Sequence, residues 1–453
     1  MKYLLFFTLL CIPSLYAKTN EGNKSAQQEV NLIDGLTVSK NRIDIRINEG
    51  FKKKFLRKDF FAVYDEELDL SQLDSSLLVL PFVSNVISII WISGKTFYLD
   101  SLDQDFYESL AKVKEVFKRM YPHTKWNGQL IPRKLVKNNF RFAPKPGEKE
   151  RTALLFSGGL DSITSSLYHR EKKQLLITVN GHWDLPLWDK QLLQERKKDL
   201  MAWGTQYGHE NSFIDSNYYD FLNRDVLDWY SHEITSWRIF CVEGIGWAGL
   251  AAPLMALKGY PTLLHGSTIT WDFNFPACAN PFVDNNIRFG GMRLKHDLFD
   301  MNRLGKCEYI ASLRRAGLIT TPTIRVCEEK SVDNCGTCQK CIRTIIELVV
   351  AGEDPRPYGF ACDVEKVLRS SEKFMNAHGT GATTVWHFMH IQKRLQEKVA
   401  HKEKIPASLA WLLKVNLKKK LTTEIENQHK LDWRDFVDLL PDIEVPETVD
   451  LAF

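Results

Sequence analysis

The sequence carries little net charge and few cysteines for its length. Its 453 residues have a formal net charge of +4, which argues against a dedicated nucleic-acid-binding protein. Nine cysteines in a chain of this length do not make a disulfide scaffold. Beyond residue 17 the sequence has no apolar run long enough to span a membrane, and it has no internal repeats or low-complexity tracts. The composition is that of an ordinary folded protein, so the function has to be sought in local motifs.

The first motif is a glycine loop that lacks the lysine of a Walker loop. The hexapeptide SGGLDS, residues 157–162, follows the apolar run 152–156, which predicts a buried strand, and begins a segment with helical spacing up to Arg170. Paired glycines let the backbone approach an anion, and the free N–H groups and dipole of the helix start attract it. Strand, glycine turn and helix together predict a phosphate site, although a tight turn without a ligand has the same local pattern.

Four of the nine cysteines form the second motif. Cys327, Cys335, Cys338 and Cys341 have the spacing C-x7-C-x2-C-x2-C. Four thiolates in so short a segment can close a tetrahedral site, and zinc is the metal best suited to it. Gly336 favours a turn whose backbone N–H groups face the sulfurs. An iron–sulfur cluster, two disulfides, or reduced and unliganded cysteines are the alternatives.

These two motifs, in this order, resemble those of 7-cyano-7-deazaguanine synthase and its relatives in the PP-loop superfamily of N-type ATP pyrophosphatases. In that family a strand ending in Gly precedes an Asp, an aromatic-Pro-Asp-Cys stretch and a Lys at a helix start. The corresponding residues here are Gly266, Asp272, the stretch 275–278 and Lys306, and Ala351-Gly352 follows the last cysteine. The resemblance covers about residues 150–355, less than half of the chain.

The resemblance implies ATP, Mg²⁺ and Zn²⁺ as cofactors. Asp161 would bind Mg²⁺ or, as an alternative, cap the helix, and Lys306 would neutralise charge at the phosphate unless it is a solvated lysine. The predicted residues are Ser157, Gly158, Gly159, Leu160, Asp161, Ser162, Val179, Asn180 and Gly181 for ATP; His182, Gly266, Phe275 and Pro276 for substrate; Asp161, Lys306 and Asp272 for catalysis; and the four cysteines of the second motif for zinc.

The function that the resemblance implies is ATP-dependent carbon–nitrogen ligation. A carboxylate is adenylated with release of pyrophosphate, and a nitrogen nucleophile then displaces AMP to give an amide. A second ATP then dehydrates the amide where the product is a nitrile, as in queuosine-type biosynthesis. Ala277 stands where the family has an Asp that binds the deazapurine, so a different carboxylate or a protein acceptor is equally open. The alternatives are RNA sulfur transfer and a non-catalytic ATP-binding component of a bacterial defence-type complex.

The alternation of strands and helices after residue 150 predicts an α/β fold, with a doubly wound, mostly parallel sheet like that of adenine nucleotide alpha hydrolases. We expect an N-terminal α+β domain at 31–145, the ATP-binding domain at 150–326, the zinc segment at 327–355 and a helical region at 360–453, with a linker at 144–147. In the N-terminal domain the pattern predicts strands at 42–47, 77–80, 86–92 and 96–99 and a helix at 107–120. In the C-terminal region it predicts helices at 385–398 and 408–420.

Residues 1–17 have the shape of a secretory signal, with a basic start, an apolar core and Ala17 at the cleavage position. ATP chemistry and a four-thiolate site favour the cytoplasm instead, which makes a misassigned start the alternative to secretion. We expect a small-molecule carboxylate or a protein acceptor, no membrane and no nucleic acid as partners. A homodimer or an operon-encoded protein partner fits the long flanking regions.

Overall fold

The strands lie in a large sheet and a small one. The computed structural model describes residues 29–140, 150–377, 381–424, 431–440 and 442–446, so the signal-like residues 1–17 and the linker 144–147 lie outside the described residues. The strands are β1 (Ile33–Ser39), β2 (Arg42–Ile47), β3 (Phe60–Val63), β4 (Thr96–Asp103), β5 (Gln129–Val136), β6 (Arg151–Leu155), β7 (Lys173–Asn180), β8 (Glu210–Ser216), β9 (Thr262–Gly266), β10 (Arg288–Phe289) and β11 (Met292–Asp297).

Helices connect most of these strands and form nearly all of the C-terminal region. The α-helices are α1 (Glu49–Phe55), α2 (Ser75–Leu78), α3 (Leu80–Ser93), α4 (Gln104–Met120), α5 (Leu160–Tyr168), α6 (Lys190–Tyr207), α7 (Arg224–Leu227), α8 (Trp237–Cys241), α9 (Ile245–Lys258), α10 (Pro281–Asp284), α11 (Arg303–Arg315), α12 (Gln339–Val350), α13 (Val364–Asn376), α14 (Ala382–Ala400) and α15 (Leu417–Glu424). Short 3-10 helices span Leu70–Gln72, Arg356–Tyr358, Ala407–Lys414 and Trp433–Leu439.

The large sheet has nine strands in the order β1-β2-β3-β8-β7-β6-β9-β11-β10. The inner run β8-β7-β6-β9-β11 is parallel, and β6 and β7 are joined through α5, as β7 and β8 are through α6. The outer strands pair antiparallel, so the sheet is mixed. The prediction of an α/β fold is confirmed, whereas the parallel arrangement is confined to the middle of the sheet.

The sheet continues across the boundary expected near residue 145. Strand β3, from the N-terminal region, pairs antiparallel with β8 through Ala62–Ser216 and Val63–Asp215. Strands β4 and β5 form a separate two-stranded sheet, and they are parallel. Three strands of the N-terminal region therefore extend the sheet that carries the glycine loop.

Two predicted strands of the N-terminal region are wrong. Residues 77–80 contain the end of α2 and the start of α3, and residues 86–92 lie within α3. Every residue of α3 except Ser93 is buried, and the helix packs against α9. A helix that is buried on all sides is apolar on every face, and its short apolar runs do not differ in pattern from a buried strand.

The other predicted helices and strands of the flanking regions agree more closely with the structure. Strands 42–47 and 96–99 and helix 107–120 correspond to β2, β4 and α4. The predicted helix 385–398 lies within α14, whereas the predicted helix 408–420 is divided into the 3-10 helix Ala407–Lys414 and α15. Among the described residues, none of the helices combines the length and apolar character that crossing a membrane requires.

The α3–α9 contact gives a test of this arrangement. A Cβ at Gly249 in α9 would overlap Ser84 Oγ on α3, so Gly249→Ala should lower the free energy of unfolding by about 1–3 kcal/mol through overpacking. The measurement is urea denaturation. Gly305→Ala in α11 is the control, because the nearest heavy atom to its Cβ is the flexible Met301 Cγ at 3.3 Å. Equal stabilities of the two variants would contradict the close packing of α3 on α9.

Candidate functional site

The glycine loop lies between β6 and α5, as the sequence predicts. Gly158 has a φ of +72°, which favours glycine, and Gly159 is the N-cap of α5 without a side-chain cap. Ser162 Oγ donates to Gly159 O at 3.1 Å, and Gly159 N donates to Ser157 Oγ at 3.3 Å, so both serines brace the loop. The first N–H groups of α5 have no carbonyl one turn earlier in the helix, and they are the groups available to an anion.

Asp161, in the first turn of α5, is the centre of a buried ion cluster. Its Oδ2 accepts from Arg303 Nη1 at 2.7 Å and from Thr268 Oγ1 at 3.1 Å, and its Oδ1 accepts from Lys306 Nζ at 2.8 Å. Burial alone would raise the pKa of Asp161, but the charges of Arg303 and Lys306 outweigh it and lower this pKa to about 2. Asp161 therefore does not cap α5, and both of its oxygens are already bound by cations.

Lys306 is not a solvated lysine. Its side chain is 0% exposed, and its Nζ also donates to the carbonyl of Ser267. Burial lowers the pKa of Lys306, while the carboxylate of Asp161 opposes this shift. Because Ser267 follows β9 directly, Lys306 ties the C-terminal end of that strand to the start of α5. Gly266, the last residue of β9, also lies here, since a Cβ on it would approach Asp161 O to 3.0 Å.

Helix α12 adds three buried polar side chains beside this cluster. Arg303 Nη2 donates to Thr344 Oγ1 at 3.2 Å, and Arg303 Nε lies 3.7 Å from Glu347 Oε2. Burial raises the pKa of Glu347. Arg343 is also buried, and burial together with the charge of Arg303 lowers its pKa to about 10. Arg303 and Arg343 were not among the predicted site residues.

The second predicted segment lies at the end of β7. Asn180 Nδ2 donates to Asp215 Oδ1 at 2.7 Å, and Gly181 has a φ of +103°. A Cβ at Gly181 would overlap Ser216 O, so this turn also requires glycine. His182 Nδ1 lies 2.5 Å from Asp184 Oδ1, and the His182 ring stacks on Tyr218 with centroids 6.4 Å apart. Burial lowers the pKa of His182, and Asp184 opposes this shift.

The predicted catalytic residue Asp272 contacts other residues than Asp161 and Lys306 do. Its Oδ2 is 2.7 Å from His390 Nε2 and accepts from Trp386 Nε1 at 3.2 Å, both on α14, and its Oδ1 accepts from Thr270 Oγ1 at 2.6 Å. Burial would raise the pKa of Asp272, but the hydrogen bond with His390 outweighs it and lowers this pKa. The sequence offered no signal for His390 or Trp386, because both lie outside the segment that carries the family resemblance.

The predicted substrate residues Phe275 and Pro276 lie next to an aromatic stack. The Phe275 ring stacks on Phe273 with centroids 5.3 Å apart, and Phe273 stacks on Trp386 at 4.5 Å. The carbonyl of Pro276 accepts from the hydroxyl of Tyr121. Phe275 is partly exposed, and it presents the accessible end of this stack.

The four cysteines converge as predicted. Their sulfurs all lie within 4.8 Å of one another, with Sγ–Sγ distances of 4.0 Å for Cys335–Cys341 and for Cys338–Cys327. No disulfide joins the cysteines of the described chain. Backbone N–H groups donate to these sulfurs, for example Cys335 N to Cys327 Sγ at 3.3 Å and Cys338 N to Cys335 Sγ at 3.2 Å. Gly336 has a φ of +72° in this turn. This donor set fits a four-coordinate metal such as zinc.

Arg325 connects the cysteine cluster to the glycine loop. Its backbone N–H donates to Gly158 O at 2.8 Å, while its guanidinium donates to the carbonyls of Cys327, Glu329, Ser331 and Val332 at 2.6–2.9 Å. One residue therefore holds both the loop that would bind phosphate and the segment that begins the metal cluster.

Comparisons with protein-family models, curated proteins and solved structures find no match to this chain. The assignment of function therefore rests on the motifs and on the geometry of the site.

We expect one zinc ion per chain from metal analysis of the purified protein. Cys338→Ser removes one ligand of the cluster and should abolish the metal content and lower the melting temperature. Cys362→Ser is the matched control, because Cys362 lies beside Gly336 but outside the four-cysteine group. Iron and acid-labile sulfide in place of zinc would instead indicate an iron–sulfur cluster.

The Asp161 cluster predicts a pH dependence of stability. The folded pKa of about 2 lies below the ordinary 3.8, so the cluster stabilises the protein above pH 4 and loses this contribution as the pH falls towards 2. A shift of this size corresponds to about 2 kcal/mol. Asp161→Asn leaves two buried cations without their carboxylate and should lower the free energy of unfolding at pH 7 by about 2–5 kcal/mol.

Urea denaturation at pH 7 and at pH 3 measures both effects. The difference in free energy of unfolding between Asp161→Asn and the native protein should be smaller at pH 3 than at pH 7, because part of the contribution of Asp161 is lost there. Asp199→Asn, on the exposed side of α6, is the control and should follow the native protein throughout. A constant difference between Asp161→Asn and the native protein would contradict the depressed pKa of Asp161.

Proposed function

We propose that this chain is an ATP-dependent carbon–nitrogen ligase of the PP-loop type, with a doubly wound parallel core in its mixed sheet. The observation that carries the proposal is the glycine loop at the start of α5, where the partly exposed Asp161 is bound by the buried cations of Arg303 and Lys306. Free helix N–H groups and two buried cations at one helix start form an environment for a strongly negative ligand. The triphosphate of ATP is such a ligand.

In this reaction, different groups of the chain would bind the pyrophosphate, neutralise its charge and border the adenine. Backbone N–H groups of residues 158–162 bind the pyrophosphate part of ATP, and Lys306 and Arg303 neutralise its charge as it leaves. Residues 179–181 border the adenine, since β7 lies next to β6 and its end faces the same edge of the sheet. Mg²⁺, when bound, supplies further counter-charge to the phosphate oxygens.

Zinc in the cysteine cluster would be structural, because four thiolates leave no open coordination position. Its part in the reaction would then be to hold residues 325–341 against the loop through Arg325. This arrangement counts against RNA sulfur transfer, in which a cysteine must be free to carry sulfur.

The acceptor would lie by the ends of β7 and β9, near His182, Gly266, Phe275 and Pro276. The partly exposed Phe275 offers a face for a planar ring. Ala277, buried beside it, supplies no carboxylate for the donor edge of a deazapurine. Carboxy-deazaguanine, another planar carboxylate and a protein acceptor therefore all remain as substrates of the proposed ligase.

The ion pairs of Asp161 favour a second function. Both of its oxygens are engaged by cations, and the charges of Arg303 and Lys306 oppose the binding of Mg²⁺ at the same carboxylate. This observation suits a component that binds ATP, or a partner's anionic group, without turning it over.

The test is a product assay with the purified full chain, ATP, Mg²⁺, carboxy-deazaguanine and ammonia. AMP, pyrophosphate and a nitrile product would support the parent reaction, and AMP without base conversion would support a ligase with another acceptor. Absence of AMP would contradict the ligase and support the binding component.

Lys306→Met should reduce the rate of AMP formation on the order of 10²-fold, because it removes a buried cation from the developing negative charge. Lys295→Met, on the exposed face of β11, is the matched control and should keep the native rate. Equal rates for the two variants would contradict the role of Lys306.

A further inference from the structure

Arg343 is a buried arginine without a partner. Only 5% of the residue is exposed, yet its guanidinium makes no hydrogen bond or ion pair with any residue in the described part of the chain. A buried charge is costly unless another charge or an array of hydrogen bonds compensates it. Water can satisfy hydrogen-bond donors, but it cannot neutralise a guanidinium. The carboxylates of Glu347, Asp161 and Glu328 attract Arg343 only from beyond ion-pair distance, so the guanidinium has no anion in direct contact among the described residues.

Other unpaired polar atoms gather around the same place. His387 of α14 is 1% exposed, and neither of its ring nitrogens has a hydrogen-bond partner. Arg303 Nε and both carboxylate oxygens of Glu347 also lack hydrogen bonds, although Arg303 Nε lies 3.7 Å from Glu347 Oε2. Buried polar groups without partners are rare in folded proteins, and several of them on adjoining helices mark a place where a ligand or water belongs.

Three helices enclose this group of side chains, which we call the Arg343 chamber: Arg303 on α11, Arg343 and Glu347 on α12, and His387 on α14. Helix α14 packs against both α11 and α12. The chamber adjoins the ATP loop, because the Arg303 guanidinium that contacts Thr344 and Glu347 also binds Asp161. Its nearest neighbours on the loop side are therefore Asp161 and Lys306.

The charges in and beside the chamber leave a positive excess. Arg303, Arg343 and Lys306 lie near the carboxylates of Asp161 and Glu347, and burial raises the pKa of Glu347, which favours its neutral form. Glu328 also attracts Arg343, but its carboxylate is already paired with Lys340 at 3.5 Å. The unpaired nitrogens of Arg303, Arg343 and His387 also supply hydrogen-bond donors. A ligand that fits is negatively charged and rich in acceptors, which describes an oxyanion.

We propose that the Arg343 chamber is an oxyanion-binding subsite whose outer wall is the C-terminal helix α14. Two sources of the oxyanion follow from the proposed function, on which this choice rests: the pyrophosphate end of ATP and the carboxylate of the acceptor. In either case the C-terminal region completes the site rather than forming an accessory domain. His387 lines the wall, and His390 anchors α14 to Asp272 at 2.7 Å.

The experiment measures binding and stability of the full zinc-loaded chain with two probes, inorganic pyrophosphate and carboxy-deazaguanine. Arg343→Met should weaken the binding of at least one probe roughly 10- to 100-fold, because a charged hydrogen-bonding partner is lost. His387→Phe, which keeps the ring but removes both nitrogens, should weaken the same probe less. The exposed variants Arg369→Met on α13 and Lys393→Met on α14 are the controls and should bind as the native chain does.

The melting temperature of the ligand-free protein separates binding from structure. Without a ligand, Arg343→Met should melt at or above the native temperature, because it removes an unpaired buried charge, whereas a structural arginine would lower it. The rise in melting temperature that the probe causes in the native protein should disappear in this variant. Arg343→Lys, which keeps the charge, provides a second variant if Arg343→Met does not fold.

The outcomes distinguish ATP from the acceptor as the source of the oxyanion, and they separate failure of the proposed ligase from failure of the proposed subsite. Loss of pyrophosphate binding alone assigns the chamber to ATP, and loss of carboxy-deazaguanine binding alone assigns it to the acceptor. A native chain that binds neither probe, or an Arg343→Met chain that binds both as the native chain does, overturns the subsite. If the native chain forms no AMP but binds pyrophosphate through Arg343, the ligase fails and the subsite stands.

Discussion

The buried contact of Asp161 with Arg303 and Lys306 is the constraint on which the candidate site depends. It joins the first turn of α5 to the first turns of α11, and through the Ser267 carbonyl it reaches the end of β9. One carboxylate faces two cations at the positive end of a helix, so the cluster is electrostatically incomplete by itself. Desolvation of the charges offsets part of their attraction, so the ionised carboxylate contributes only about 2 kcal/mol to stability. In the proposed function, its two cations direct a positive potential at the glycine loop.

The cysteine cluster is coupled to the same loop rather than forming a separate module. The Arg325 guanidinium donates hydrogen bonds to carbonyls of the turn that carries the first cysteine, and its backbone N–H donates to the carbonyl of Gly158. Helix α12 then begins at Gln339, among the cysteines, and places Arg343, Thr344 and Glu347 beside Arg303. A metal held by the four sulfurs would thus fix the direction of a helix that lines the site.

The flanking regions also take part in the structure of the core. Strands β1–β3 extend the central sheet through β8, and α3 is buried against α9. At the other end of the chain, α14 covers the far side of α11 and α12 with Trp386, His387 and His390. Residues on either side of the segment that resembles the PP-loop family therefore pack against the elements that carry the candidate site.

The sequence by itself determined the features that depend on local chemistry. The glycine loop, its flanking strand and helix, and the convergence of Cys327, Cys335, Cys338 and Cys341 follow from spacing, because short segments leave the backbone few alternatives. Lys306 was found through the family resemblance, but its burial was not. Only the tertiary structure decided that α3 is a helix, that β3 joins β8, that Arg303 binds Asp161 beside the loop, and that α14 brings His387 near Arg343 and His390 to Asp272. These residues are far apart in the chain, and their charges meet only because the packing of the helices brings them to one edge of the sheet.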